Sequence, residues 1–126
     1  MLNSIEYLDD GEKQYPIAFT LNVMEAIQQK YGTLQEWGKL AQSRNEPDIA
    51  ALKYMLMESQ HEGVEMTCKC KRGMCECDYL TLKEVGRLIT RIGIKTVAEK
   101  ISKLITASLE QGDSSKNAKP TKNQKA

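Results

Sequence analysis

The sequence predicts a mostly helical α+β domain: an N-terminal β-hairpin packed on a bundle of about five helices, with a four-cysteine loop insertion and a disordered C-terminal tail. Three observations carry this reading. Between Ile5 and Thr20, two short runs rich in aromatic and β-branched residues flank an Asp-Gly pair. From Thr20 onward the apolar period changes from two to about 3.6, and it recurs in blocks bounded by capping residues. Past Gly112 the chain is Asp, Ser, Lys, Asn, Ala, Pro, Thr and Gln, with almost nothing to bury and no means of offsetting the entropy of ordering.

The hairpin is expected over residues 4–20, with arms Ile5–Leu8 and Tyr15–Thr20 and the turn at Asp9-Asp10-Gly11-Glu12-Lys13. In the second arm Tyr15, Ile17 and Phe19 alternate with Pro16, Ala18 and Thr20, so one face can be buried, while Pro16 lacks a backbone donor and suits an edge. A lone hairpin is marginal in water, so helices must cover it. The first helix is expected at 21–31, with Val23, Met24, Ile27 and Tyr31 on one face and Gly32 as its stop. Thr33-Leu34-Gln35-Glu36 is a capping-box pattern opening a second helix, 34–41, that should bury Trp37 and Leu40.

A third helix is expected at 47–61, with Pro47 and Asp48 in its first turn. Its apolar residues Ile49, Leu52, Tyr54, Met55 and Leu56 surround most of its circumference, which predicts a central position. Thr81-Leu82-Lys83-Glu84 is a second capping box, opening a helix at 82–92 with Leu82, Val85, Leu88, Ile89 and Ile92 on a stripe and Gly93 as the stop. The last helix, 95–110, follows from Ile94, Val97, Ile101, Leu104, Ile105 and Leu109. Residues 1–110 thus read as one domain, 66–79 as the cysteine loop and 111–126 as the tail.

At 126 residues, with 40% apolar and 28% charged residues, the chain has room for one core and the composition of an ordinary globular protein. No run approaches the roughly 20 apolar residues that cross a bilayer, and Met1-Leu2-Asn3-Ser4-Ile5-Glu6 lacks the pattern of a signal peptide, so a cytoplasmic protein is expected. The net charge of +1 conceals an asymmetry. Residues 111–126 carry Lys116, Lys119, Lys122 and Lys125 against Asp113, while residues 1–110 hold 14 basic and 16 acidic residues. That body shows no electrostatic footprint for nucleic acid, and a polar end with spaced lysines reads as a solubilising tail.

All four cysteines fall within Cys68-Lys69-Cys70-Lys71-Arg72-Gly73-Met74-Cys75-Glu76-Cys77, a CxC-x4-CxC pattern. Cys68, Cys70, Cys75 and Cys77 can supply a tetrahedral soft-ligand set, for which zinc is the default metal. Alternate residues on a strand point the same way, so two CxC arms could pair with Lys71 to Met74 at the tip, although this is not the CxxC knuckle of common zinc folds. Three readings stay open: a structural clip holding one Zn per chain, reduced thiols in a surface insertion, or two disulfides in an oxidising environment. His61 is a further potential ligand, although a solvated His at a helix end is the plainer reading.

Catalytic patterns are missing. His61 is the single histidine, and neither a GxxxxGK loop nor a GxGxxG fingerprint occurs. The carboxylates fall in helix first turns and on solvated faces, where capping explains them. A non-enzymatic protein is therefore expected. Met24, Met55, Met57, Met66 and Met74 read mainly as core filling, with some available for adaptable contacts.

The stretch Tyr15-Pro16-Ile17-Ala18-Phe19-Thr20-Leu21-Asn22-Val23-Met24-Glu25-Ala26-Ile27-Gln28-Gln29-Lys30-Tyr31-Gly32-Thr33, then Glu36-Trp37, and the late Leu80-Thr81-Leu82-Lys83-Glu84-Val85-Gly86-Arg87-Leu88-Ile89, resemble the tail assembly chaperones of long-tailed phages and prophages of Gram-positive bacteria. In that group a short hairpin with an aromatic-Thr-Leu-Asn stretch leads into a helix ending in aromatic-Gly-Ser/Thr. The resemblance covers residues 5–60 and 80–109. It implies a self-associating helper that coats the tape-measure protein and brings tail-tube subunits to it, with no catalytic residue. The cysteine insertion departs from the pattern, and the alternative it raises is a small zinc-clipped regulatory or nucleic-acid-binding module in which Lys69, Lys71, Arg72 and the lysine tail would contact phosphates. The last helix and the hairpin edge are the candidate partner surfaces.

Overall fold

Two antiparallel strands, β1 (Ile5–Asp9) and β2 (Gln14–Ala18), open the computed structural model, which describes residues 5–41, 43, 46–67 and 79–113. The Asp-Gly turn forms as its chemistry dictates, because short acidic side chains cap the backbone donors of a reversing chain. Asp9 Oδ1 accepts from the N–H of Gly11 at 2.8 Å, and Asp10 Oδ1 accepts from those of Glu12 and Lys13 at 2.9 Å. The register places Tyr7 opposite Pro16 and Ile5 opposite Ala18. The second arm does not alternate as expected: Ile17, Ala18 and Phe19 are all buried, and the strand stops at Ala18. The core encloses this end of β2 on more than one side, and Thr20 leaves the sheet to cap the next helix.

Five helices follow among the described residues: α1 (Leu21–Tyr31), α2 (Leu34–Ala41), α3 (Ile49–Thr67), α4 (Leu82–Ile92) and α5 (Ile94–Asp113). The fold is therefore mostly α with an N-terminal hairpin. Thr20 caps α1 through the N–H of Asn22, and Glu62 of α3 accepts from the Thr20 hydroxyl at 2.7 Å and from Asn22 Nδ2 at 3.1 Å, tying the start of α1 to the central helix. Gly32 and Gly93 end α1 and α4 with φ of +95° and +109°, a region that L side chains avoid. The Thr81–Glu84 capping box is complete, with both reciprocal bonds made. At α2 the Thr33 hydroxyl accepts from Glu36 N–H at 3.0 Å, while the Glu36 carboxylate turns to Lys39 instead.

The helix α3 is central, as its all-round apolar pattern predicts, and touches β2, α1, α2 and α4. Its bounds differ from the expected 47–61. Pro47 and Asp48, expected in its first turn, precede it, and Asp48 is its cap, since Asp48 Oδ1 accepts from Ala51 N–H at 3.1 Å. At its other end the helix runs past His61 and Gly63 to Thr67, with Gly63 and Val64 buried against the hairpin. Gly63 is the point where β2 passes over the helix. Likewise α5 extends to Asp113, beyond the expected 110.

The core comprises Leu8, Ile17 and Phe19 from the hairpin region, Val23 and Ile27 from α1, Trp37 from α2, Leu52, Met55 and Leu56 from α3, and Val85, Leu88, Val97, Ile101 and Leu104 from α4 and α5. Trp37 donates its indole N–H to Ala51 O at 2.8 Å, which satisfies the one polar atom it brings inside. Leu40, Ile49 and Leu82, each expected inside, stand 42–44% exposed. They occupy helix positions just outside the arc that the packed neighbours cover. Met55 is fully buried and Met24 and Met57 pack against the core, while Met66 is exposed and Met74 lies outside the described residues. Among the described residues no helix is long and apolar enough to cross a membrane. The tail from residue 114, read as disordered, lies outside the described residues.

Candidate functional site

Cys68, Cys70, Cys75 and Cys77, with Lys69, Lys71 and Arg72, lie outside the described residues. The residues on either side of them are described, and they are tied together. Gln60 Oε1, on a fully buried side chain, accepts from Leu80 N–H at 3.0 Å, and His61 Nε2 sits 2.8 Å from Leu80 O. Because a carbonyl oxygen only accepts, His61 carries its proton on Nε2. Its ring meets Tyr79 edge-on at 5.0 Å between centroids, and the Tyr79 hydroxyl donates to Glu65 at 3.2 Å. The chain therefore leaves α3 and is gripped beside the same helix when it returns. His61 serves this grip, and among the described residues no group of His, Cys, Asp and Glu could hold a metal ion.

The two candidate partner surfaces fare differently. The hairpin is clothed by α3 on β2 and by α5 on β1. Lys100 of α5 reaches Glu6 of β1 at 3.6 Å, and Arg91 of α4 reaches Asp10 at 3.2 Å. The Asp10 carboxyl is held down to about 2, chiefly by the N–H groups of Glu12 and Lys13, with the Tyr15 hydroxyl and Arg91 adding to it. These bonds make the turn a fixed strut between hairpin and α4, not a free edge.

An open surface lies between α2 and α5. Side chains of α2 and α5 line the same hollow, so the two helices face each other across a channel. One hollow of about 500 Å³ is lined by Leu34, Trp37, Gly38, Ser102, Ile105 and Thr106 among others. A second, of about 610 Å³, is lined by Ala41, Pro47, Ile94, Ala98, Glu99 and Ser102 among others. Ser102 borders both, which joins them into one groove along α5. Its walls are mostly apolar or small side chains, together with Gln35, Lys39, Lys95 and Glu99, and they can hold another apolar surface. Burial pushes the Tyr31 phenol up, and the charge of Asp48 adds to that shift.

The last helix was expected to carry a single apolar stripe. It carries two, one residue out of step. Val97, Ile101, Leu104 and Ser108 point into the core, whereas Ile94, Ala98, Ser102 and Ile105 run along the channel, and Leu109 stands exposed. The sequence held this signal, since both sets repeat at spacings of three and four. Read as one list, Ile94 through Leu109 looked like a single broad face. No protein-family model, curated protein or solved structure matches this chain.

Proposed function

We propose that the chain is a non-enzymatic phage tail assembly chaperone that holds the tape-measure protein and helps bring tail-tube subunits to it. The observation that carries this reading is the channel between α2 and α5, an apolar concavity on a domain that otherwise closes its core. A helper of this kind must cover an aggregation-prone segment reversibly, which calls for an open apolar groove of its own. The order of hairpin, helix ending in Tyr31-Gly32-Thr33 and late capped helix also supports it, because those are the segments in which the chain resembles such chaperones.

The test is co-expression with the tape-measure protein of the same phage genome, followed by size exclusion and native mass spectrometry. The expected result is a soluble complex, together with oligomers of the free chain. A tape-measure protein that stays insoluble with and without this chain would remove the proposal, and a strictly monomeric free chain would count against self-association as its working mode.

The four cysteines we assign to one structural zinc per chain. The donor set fits, since four thiolates satisfy a tetrahedral Zn ion and leave no open position for catalysis. The grip of Gln60 and His61 on Leu80 supports it by returning the chain to α3 on the far side of the cysteines.

A further inference from the structure

We infer that the hollow between the hairpin turn and α4 binds a single phosphoryl group, free or carried on a small monoester, independently of any capture of tail proteins. The hollow encloses about 350 Å³, at the small end of the roughly 300–1,000 Å³ of small-molecule sites, and is lined by Lys13, Tyr15, Glu84, Arg87 and Arg91 among others. Its walls are fixed from three directions. Lys13 belongs to the turn, where its N–H reaches Asp10 Oδ1 at 2.9 Å and its carbonyl accepts from Asp10 N–H at 3.2 Å. Arg87 and Arg91 stand one turn apart on α4, a spacing that brings β-carbons within about 6 Å of each other. Leu80 and the buried Leu88 supply an apolar patch, and Gln60 and His61 hold the Leu80 peptide at its N–H and its C=O.

Lys13, Arg87 and Arg91 face the carboxylate of Glu84 across this hollow, and the acidic groups beside them are already committed. Glu84 Oε1 accepts from Thr81 N–H at 2.8 Å in the capping box. Asp10 Oδ2 meets one nitrogen of Arg91 at 3.2 Å and takes the Tyr15 hydroxyl on the same oxygen. Arg91 is therefore held in place with most of its five guanidinium donors still open. The Lys13 ammonium lies 5.3 Å from the centre of the Tyr15 ring. Arg87 makes neither an ion pair nor a side-chain hydrogen bond among the described residues. Positive charge is thus left over at Arg87, one turn from a guanidinium that Asp10 has already oriented. Two such forks exceed what the two coplanar oxygens of a carboxylate need, whereas three oxygens set around phosphorus answer both. A long polyanion is opposed by the rest of the domain, since residues 1–110 hold more acidic than basic side chains.

The experiment is an amide chemical-shift titration of the full chain at low salt in phosphate-free buffer, with phenyl phosphate, inorganic phosphate and benzoate as probes. Phenyl phosphate is expected to saturate at or below about 1 mM, with shifts centred on Lys13, Arg87 and Arg91, and benzoate, with the same ring and one oxygen fewer, to bind at least about tenfold more weakly. Arg87→Ala should weaken phenyl phosphate about tenfold, the scale of one charge-assisted contact, and leave the rest of the spectrum in place because the side chain is exposed and unpaired. Arg87→Lys should restore part of that loss. Lys103→Ala removes an equal charge from α5, away from this hollow, and should leave the affinity unchanged. Inorganic phosphate that binds as tightly as phenyl phosphate supports the site with the free ion as its occupant; weaker binding of the free ion supports it with the monoester, whose ring covers Leu80 and Leu88. Benzoate as tight as phenyl phosphate overturns the inference in favour of a carboxylate, and a loss in Lys103→Ala equal to that in Arg87→Ala overturns it in favour of diffuse charge. Shifts centred elsewhere, or no saturation by either phosphate up to about ten times that concentration, also overturn it.

Discussion

Gly63 of α3 lies directly beneath the carbonyl of Pro16, so that a β-carbon at this position would sit 2.4 Å from the Pro16 oxygen and 2.8 Å from Ile17 N. This contact sets how near the hairpin comes to the central helix. It also explains how a glycine persists inside a helix that it weakens by about 1 kcal/mol relative to alanine.

Gly63→Ala is therefore expected to destabilise the fold by about 1–3 kcal/mol, the scale of overpacking against rigid backbone, despite the better helix propensity of alanine. Gly86→Ala in α4 is its control. There the new methyl group meets only the flexible end of Lys53 at 3.3 Å, and stability should hold or rise by up to about 1 kcal/mol. Urea denaturation of both variants checks the pair, and equal losses would show that the Pro16 contact is not what distinguishes the two sites.

Acid should unfasten the turn. The Asp10 carboxyl is depressed from 3.8 to about 2 in the folded chain, so its contribution is complete above pH 4 and is lost as pH falls through the interval from about 4 to 2. Asp10→Asn should flatten the dependence of the urea midpoint on pH across that interval and leave the exchange of the Glu12 and Lys13 amides faster. A midpoint that falls as steeply in the variant would assign the acid sensitivity to other carboxylates.

Removing the grip on the returning chain should be costly. Gln60→Ala leaves the Leu80 N–H without its acceptor and opens a gap in a fully buried position, for an expected loss of about 1–3 kcal/mol. Hydrogen exchange should quicken at Leu80 before it quickens in Val23 or Leu52. Uniform quickening across the core would mean that the bond supports the whole fold equally.

Under the zinc assignment, native mass spectrometry of chain purified without added metal should find one zinc per chain, and Cys68→Ser with Cys77→Ser should lose it. Chelation should lower the melting temperature while leaving helical circular dichroism in place, because the core of α1 to α5 is apolar and closes without the cysteines. Wholesale loss of helix on chelation would place the metal in the folding of the entire domain.

Much of this architecture was legible in the sequence because local signals and tertiary packing agree. Gly32, Gly93 and the Thr81–Glu84 pair mark helix ends by backbone chemistry alone, and the structure has α1, α2 and α4 at the expected bounds. The end of α3, expected at 61, was not legible, because the helix runs on through Gly63 beneath Pro16, forty-seven residues away in sequence. Leu40, Ile49 and Leu82 were misplaced for a related reason: periodicity says which face is apolar but not how wide an arc the neighbours cover. The channel was half legible. Its α5 wall repeats at helical spacing, whereas its α2 wall joins Leu34, Gln35, Trp37, Gly38 and Lys39, residues that become one surface only when the two helices are set facing each other.

The two bonds on Leu80 also bear on how this chain tolerates change in length. Because Gln60 and His61 hold the peptide of Leu80 at both its N–H and its C=O, the entry to α4 is fixed from α3 itself, whatever intervenes between residues 67 and 79. Doubling such an intervening stretch costs only about 0.6 kcal/mol in closure entropy. The junction is thus a natural graft point, where a reporter peptide or a foreign recognition loop can replace the native segment while hairpin, core and channel keep their places.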